Sequence, residues 1–211
     1  MPRKPLIRSE NLPYHVTSRS HNKEQFPLPI NRVWELANYS FKEANEIHPI
    51  NLISFVLMSN HYHLLLYTPS GNLDRFMYEF NKRLALKIHY ESGVINQIFG
   101  GRYKWCLIQS QQYFSNCYRY VYQNPVRAGL VNHCEDYSFS TLHCSTKHSP
   151  FSIPIHDKFG FKDEYCLNWL NQKINSDEIE SLKKNLSRSV LGKVAPGDFL
   201  GTDNHGALQD C

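Results

Sequence analysis

Residues 51–68 read N-L-I-S-F-V-L-M-S-N-H-Y-H-L-L-L-Y-T, which are two apolar runs of strand length separated by Ser59-Asn60. A short polar break between two runs rich in aliphatic and aromatic residues predicts a tight antiparallel hairpin. We expect its strands at 51–58 and 61–68. Two histidines, His61 and His63, then lie just past the turn.

The segments on either side of this hairpin predict further strands and helices. The predicted strands lie at 14–19 and 103–108, and the predicted helices run over 29–48, over 72–93 and from about 111 to near Pro125. Asn72 is expected as the N-cap of the second helix. The order strand, helix, strand, strand, helix, strand, helix predicts an α+β fold of the ferredoxin-like type, an antiparallel sheet with helices packed on it.

The chain is long enough for one ordinary domain with an extension. We expect one domain over 1–140 and a C-terminal tail over 141–211 that contains short helices near 163–171 and 176–187. The chain has 211 residues, of which 41% are hydrophobic, so it can form a sizeable core.

The positive charge of the chain lies in its first part. Residues 1–150 contain 16 Lys and Arg against 10 Asp and Glu, whereas residues 151–211 contain 7 against 9. A surface that binds a polyanion such as nucleic acid is therefore expected in the first part.

Several classes of protein lose support from the sequence. The six cysteines include no C-x-x-C pair, which disfavours a zinc ribbon or a disulfide scaffold and favours a reducing compartment. No signal-peptide pattern follows the basic N-terminus, and polar residues interrupt the long uncharged stretch that contains the hairpin, so we expect no membrane partner and a cytoplasmic protein. No phosphate-binding loop motif is present, and we expect no nucleoside triphosphate.

The pair His61 and His63 is the first candidate for chemistry. Residues two apart on a strand point to the same face, so both imidazoles can approach one cation while Tyr62 points to the other face. Two histidines at this spacing are also common as half-exposed polar residues of a sheet. The pair by itself therefore leaves a metal site and an ordinary polar surface open.

The third predicted helix supplies a second candidate group. Tyr120 and Asn124 are four residues apart on one border of its apolar stripe, so their side chains project together. A phenol is a poor nucleophile unless a nearby cation or base favours its phenolate. Tyr113 lies on nearly the same face and is the alternative nucleophile, and Asn124 can equally be an ordinary residue at a helix end.

Four blocks of sequence resemble the REP-associated tyrosine transposases, where REP denotes repetitive extragenic palindrome. The blocks are R-S-E-N-L-P-Y-H-V-T-S-R (8–19), F-V-L-M-S-N-H-Y-H-L-L-L (55–66), R-Y-K-W (102–105) and Y-V-Y-Q-N-P-V-R-A-G-L-V (120–131). These transposases are relatives of the insertion-sequence transposases that use one tyrosine and a histidine-hydrophobic-histidine motif, the HUH endonucleases.

The resemblance implies a role for each candidate residue. It matches His61 and His63 with the metal-binding histidines, Tyr120 with the nucleophile and Asn124 with a third metal ligand. It implies a Mg²⁺- or Mn²⁺-dependent endonuclease and strand transferase of single-stranded DNA, which acts beside palindromic hairpins through a 5′-phosphotyrosine. It also implies a bacterial, nucleoid-associated location, and it leaves monomer and homodimer open.

Basic residues near these blocks are the candidates for contacts with DNA phosphates. They are Arg3, Lys4, Arg8, Arg19, Arg102, Lys104, Arg119 and Arg127. Trp105 is one of the aromatic residues nearby that can stack an unpaired base. Two alternatives remain on the sequence alone: a hairpin-binding protein of the same fold that no longer cleaves, and a phosphodiesterase that releases its product by hydrolysis.

Overall fold

One five-stranded sheet forms the centre of the computed structural model, which describes residues 5–156, 164–186 and 190–191. The strands are β1 (Tyr14–Arg19), β2 (Asn51–Leu57), β3 (His61–Tyr67), β4 (Lys104–Ile108) and the two-residue β5 (Val190–Leu191). Their order is β2-β3-β1-β4-β5; the first four are antiparallel, and β5 runs parallel to β4. This places β1 and β3 in the middle of the sheet, and the predicted ferredoxin-like α+β fold is confirmed.

Seven α-helices occur among the described residues. They are α1 (Ile30–Ile47), α2 (Leu73–Ser92), α3 (Gln111–Tyr122), α4 (Asn124–Arg127), α5 (Thr141–Thr146), α6 (Glu164–Asn171) and α7 (Ser176–Leu186). The three helices predicted between the strands are present close to their predicted bounds. No helix in the described part of the chain is long and apolar enough to cross a membrane.

The sheet has a hydrophobic core on each face. Tyr62 and Leu64 of β3 belong to a core that includes the apolar stripes of α1 and α2. Leu65 of β3 belongs to the other core, which includes the stripe of α3 and residues of α5, α6 and α7. Because side chains alternate along a strand, His61 and His63 lie on the face that carries α3.

The hairpin of β2 and β3 has the predicted turn. The amide of Met58 donates to the carbonyl oxygen of His61 at 2.8 Å, and Ser59-Asn60 forms the break between the strands. In the neighbouring pair, Thr17 of β1 lies opposite His63. The hairpin therefore brings both histidines beside the central strand β1.

Two helix ends differ in detail from the prediction. Asn72 stands at the N-cap position of α2, but its side chain makes no capping hydrogen bond, since its backbone (φ −102°, ψ 27°) lacks the extended conformation that turns a capping side chain toward the helix. Helix α3 ends at Tyr122, three residues before Pro125.

The C-terminal tail packs on the second core. Leu170 of α6 and Leu182 of α7 are buried there, and the side-chain amide of Gln123 donates to the carbonyl oxygens of Leu170 and Gln172 at 2.6 Å each. The two tail helices lie within one residue of the predicted bounds at the ends that the structure describes. The division into a domain over 1–140 and a tail over 141–211 stays a prediction.

Candidate active site

A cleft of about 440 Å³ lies where β1 and β3 meet the end of α3. Among the residues that line it are all four that the sequence singled out for chemistry, His61, His63, Tyr120 and Asn124. Alternation along β3 supplies the histidines, and the last turn of α3 supplies the tyrosine. Packing of α3 on this face of the sheet brings the two groups together.

The two histidines of β3 are adjacent and uncharged at neutral pH. Their ring centroids lie 5.1 Å apart, with His63 buried and His61 partly exposed. Burial, with a smaller contribution from the charge of Arg19, lowers the pKa of His61 to about 4. Burial lowers the pKa of His63 well below its usual range, and the neighbouring imidazoles add to this. Neutral imidazoles have the lone pair that a metal ligand requires.

His15 of β1 is a third imidazole in the same cleft, and our sequence analysis did not single it out. Its Nε2 lies 2.9 Å from Nδ1 of His63, and the two rings stack with centroids 5.2 Å apart. Burial lowers the pKa of His15 to about 4. Period-two alternation in residues 14–19 is the signal that could have placed His15 on the face opposite Tyr14 and Val16. Its distance from His63 depends on the pairing register of β1 and β3.

Tyr120 is the tyrosine that reaches the histidines. Its ring centroid lies 5.6 Å from that of His63, with the ring planes nearly perpendicular. Tyr118 and Tyr122 are fully buried in the core, and Tyr113 packs partly buried against it without lining the cleft. Of the tyrosines of α3, Tyr120 alone lines the cleft.

The amide of Asn124 stabilises the end of α3. Its Nδ2 donates to the carbonyl oxygens of Tyr120 at 2.9 Å and Val121 at 3.2 Å. Because Pro125 has no N–H to donate to Val121, the side chain of Asn124 replaces a missing helix hydrogen bond. Its Oδ1 faces the other way and accepts a hydrogen bond from Nη2 of Arg127 at 2.7 Å. One lone pair of this oxygen remains for another partner.

The basic residues predicted to contact DNA fall into three groups. Arg19, Lys104 and Arg127 line the cleft, together with Lys183 of α7, which was not predicted. Arg8, Arg102 and Arg119 lie elsewhere: Arg8 pairs with Asp74, Arg102 lies over the ring of Tyr103, and Arg119 donates to the carbonyl oxygen of Gln172. Arg3 and Lys4 lie outside the described residues.

The charge of the cleft is positive. No aspartate or glutamate occurs among the described residues that line it. A second cleft, of about 920 Å³, lies beside the start of α2 and includes Arg8 and Arg75, but it contains neither tyrosine nor cysteine. The cleft around Tyr120 is therefore the better candidate for reaction with a phosphodiester.

Comparison with known proteins adds a second line of evidence. No protein-family model matches the chain. The chain is 24% identical over 125 residues to a protein of Haemophilus influenzae provisionally named as a REP-associated tyrosine transposase, an alignment that covers 51% of this chain and 68% of that protein.

A solved structure described as the REP-associated tyrosine transposase bound to a REP hairpin matches with a TM-score of 0.61 and 17% identity. The match covers 83% of this chain and 100% of that one. The chain has the fold of a REP-associated tyrosine transposase. The resemblance to this family that the four sequence blocks indicated is confirmed.

A further solved structure, provisionally described as a transposase of Deinococcus radiodurans, is 15% identical with a TM-score of 0.40, covering 57% of this chain and 94% of that one. The likeness to the REP-associated tyrosine transposase shows the fold.

Proposed function

We propose that this protein is a metal-dependent endonuclease and strand transferase of single-stranded DNA that acts beside REP hairpins through a covalent intermediate on Tyr120. The observation that carries the proposal is the position of Tyr120 beside His63, in a cleft whose described lining has several cations and no carboxylate. A phenol in such a place can be activated for attack on a phosphodiester. The cations of the cleft attract the negative charge of that substrate.

The donor groups of the cleft fit a divalent cation that takes part of its shell from substrate. His61 and His63 are neutral, and Oδ1 of Asn124 has a lone pair left beside its bond from Arg127. No cluster of three or more His, Cys, Asp or Glu side chains arranged for a metal is found among the described residues. Two imidazoles and an amide oxygen suit Mn²⁺ or Mg²⁺, with water and phosphate oxygens completing the shell.

A cation held by His61, His63 and Asn124 would polarise the scissile phosphate and favour the phenolate of Tyr120. Oη of Tyr120 attacks phosphorus in line with the departing O3′. The Oη–P bond forms as the P–O3′ bond breaks; the phenol loses its proton, and the departing oxygen gains one. The products are a 5′-phosphotyrosine and a free 3′-hydroxyl. A 3′-hydroxyl can reverse the step and join strands without a nucleoside triphosphate.

Arg127 is the best-placed group for the phosphate itself. Its Nη1 is a buried donor that finds no acceptor among the described residues. A buried guanidinium donor without a partner is costly, and a phosphate oxygen would satisfy it. We therefore assign Arg127 to the scissile phosphate, and Arg19, Lys104 and Lys183 to flanking phosphates.

The hairpin is the proposed partner because of the relative described as bound to one. Trp105 lines the cleft next to Lys104, is partly exposed and can stack an unpaired base. The cytoplasmic, nucleoid-associated location expected from the sequence remains a prediction.

The test is covalent capture of DNA. The protein is incubated with Mn²⁺ and a single strand that carries a palindromic repeat from beside its own gene, labelled at either the 5′ or the 3′ end, and resolved on a denaturing protein gel. We expect an adduct that carries only the fragment 3′ to the cut. Tyr120→Phe should abolish it and leave hairpin binding nearly intact, whereas the matched variant Tyr113→Phe should retain it.

Other outcomes assign other functions. Tight hairpin binding with no adduct and no cleavage would identify a binding protein on the same fold. Cleavage without any protein-linked DNA would identify a hydrolytic phosphodiesterase. An adduct that persists in Tyr120→Phe and disappears in Tyr113→Phe would move the nucleophile to Tyr113.

A further inference from the structure

Each of the two histidines on β3 has one ring nitrogen engaged by a side chain of this protein. Nδ1 of His61 lies 2.6 Å from Oδ1 of Asn60. Nδ1 of His63 lies 2.9 Å from Nε2 of His15. In both rings Nδ1 makes the contact and Nε2 takes no part in it. Each histidine is therefore held through its own Nδ1.

The orientation of the Asn60 amide is determined by a backbone carbonyl. Its Nδ2 donates to the carbonyl oxygen of Lys23 at 2.7 Å. Because a carbonyl oxygen can only accept, the amino group of Asn60 must face Lys23, and its oxygen must face His61.

This orientation sets the tautomer of His61. An amide oxygen can only accept, so Nδ1 of His61 is the donor and carries the proton. A ring that carries its single proton on Nδ1 has its lone pair on Nε2. Which nitrogen of a histidine binds a metal is set in this way by the bond that the other nitrogen makes.

The carbonyl of Lys23 is itself held in place by the hairpin turn. The amide of Ser20 donates to the carbonyl oxygen of Asn60 at 2.9 Å, and the amide of Phe26 donates to that of Ser59 at 2.8 Å. The segment after β1 is thus bonded to the turn on both sides of Lys23. These bonds keep Lys23 at a positive φ of 62°, a conformation that a lysine rarely adopts without support.

His15 plays the corresponding part for His63. Both rings are buried, and at a separation of 2.9 Å one proton bridges Nε2 of His15 and Nδ1 of His63. When that proton belongs to His63, its Nε2 has the free lone pair. When it belongs to His15, neutral His63 carries its own proton on Nε2 and cannot bind a cation through it.

We propose that Asn60 and His15 are positioning residues that accept the Nδ1 protons of His61 and His63 and so leave both Nε2 lone pairs available to a divalent cation. This inference rests on the proposed metal-dependent function. It adds an outer shell to the site, with Lys23, Asn60 and His61 forming one chain of hydrogen bonds and His15 and His63 forming the other.

Ring-nitrogen NMR of the metal-free, ¹⁵N-labelled full chain tests the proposal without any cleavage assay. At pH 7.5 we expect His61 and His63 to be protonated on Nδ1 with an unprotonated Nε2. Their signals are assigned with His61→Ala and His63→Ala. A wild-type His61 or His63 protonated on Nε2 would overturn the proposal.

Two variants of Asn60 separate its effect on the imidazole from its effect on the turn. Asn60→Ala loses both the acceptor for His61 and the donor to Lys23, whereas Asn60→Asp keeps an acceptor for His61, loses the donor and adds a negative charge. We expect Asn60→Ala to move the His61 proton to Nε2 and to weaken Mn²⁺ binding about 10- to 100-fold, the usual effect of losing an outer-shell partner. Asn60→Asp should keep the Nδ1 proton and most of the affinity.

His15→Phe makes the parallel test for His63, because a phenyl ring preserves the stacking and removes the acceptor. Mn²⁺ affinity, measured from the EPR signal of free Mn²⁺, should fall by a similar factor. Equal affinities for wild type, Asn60→Ala and His15→Phe would overturn the proposal, as would an equal loss in Asn60→Ala and Asn60→Asp, since that result would mean a structural role in the turn. A protein that binds Mn²⁺ as expected but never cleaves DNA would contradict the proposed function and leave these two roles standing.

Discussion

The guanidinium carbon of Arg127 lies 4.2 Å from the ring centroid of Tyr120. A cation over the face of a phenol is attracted by the electrons of the ring. The same guanidinium donates from Nη2 to Asn124. Arg127 therefore connects the proposed nucleophile with a proposed metal ligand.

Arg127→Ala should slow formation of the protein–DNA adduct far more than it weakens hairpin binding. The variant removes one phosphate contact and the charge beside Tyr120. The slope of log affinity against log salt should fall by about 1, and the rate of adduct formation should fall at least about tenfold. Arg102→Ala is the matched control, since Arg102 is exposed and lies outside the cleft. Equal adduct rates in the two variants would contradict the assignment.

The two histidines of β3 should differ in their effect on stability. His61→Ala and His63→Ala should both abolish metal-dependent cleavage. Only His63→Ala should lower the free energy of unfolding appreciably, by about 1–3 kcal/mol, because His63 is buried and its loss leaves Nε2 of His15 without its partner. Denaturant unfolding in chelator measures this, with the exposed His156→Ala as control. Full cleavage by His61→Ala or His63→Ala in the presence of chelator would rule out a role for the metal in cleavage.

Asn124→Asp should lower the free energy of unfolding, although a carboxylate is a harder metal ligand than an amide oxygen. The aspartate has no donor, so its oxygens would face the carbonyls of Tyr120 and Val121 that Nδ2 now satisfies. We expect a loss of about 1–3 kcal/mol in the free energy of unfolding. Asn116→Asp, on the more exposed side of α3, should change it little. Wild-type stability of Asn124→Asp would contradict this account of the helix end.

Stability should fall as the pH drops from about 6.5 toward 4. An unfolded histidine has a pKa near 6.5, whereas burial lowers the pKa of His15 to about 4 in the folded protein. Between these values the unfolded chain binds more protons, so the free energy of unfolding rises with pH, and the full contribution is present above pH 6.5. His15 alone accounts for at most about 2 kcal/mol of the change in the free energy of unfolding between pH 7.5 and pH 5.

His15→Phe should remove that part of the pH dependence, measured by denaturant unfolding of the metal-free protein. The surface variant His156→Ala should keep the wild-type dependence. If His15→Phe kept the wild-type difference in the free energy of unfolding between pH 7.5 and pH 5, His15 would have the same pKa in the folded and the unfolded protein.

Local patterns in the sequence predicted most of the fold. The alternation of residues in 61–68 and the helical spacing in 111–125 depend only on period-two strands and 3.6-residue turns, so they could be recognised without a structure. The same periods placed His61 with His63 and Tyr120 with Asn124. No local period predicted the two hydrogen bonds by which the amide of Asn124 stabilises the end of α3.

The sequence by itself determined which side chains share a face, because that depends on neighbours a few residues apart. Only the tertiary structure decided what each face meets. The register of β1 against β3 brought His15 to His63, the turn brought Asn60 to Lys23, and the docking of α3 and α4 placed Tyr120 and Arg127 in one cleft with the histidines. These contacts join residues far apart in the chain, and they arise from burying two faces of one sheet at once, which no local period encodes.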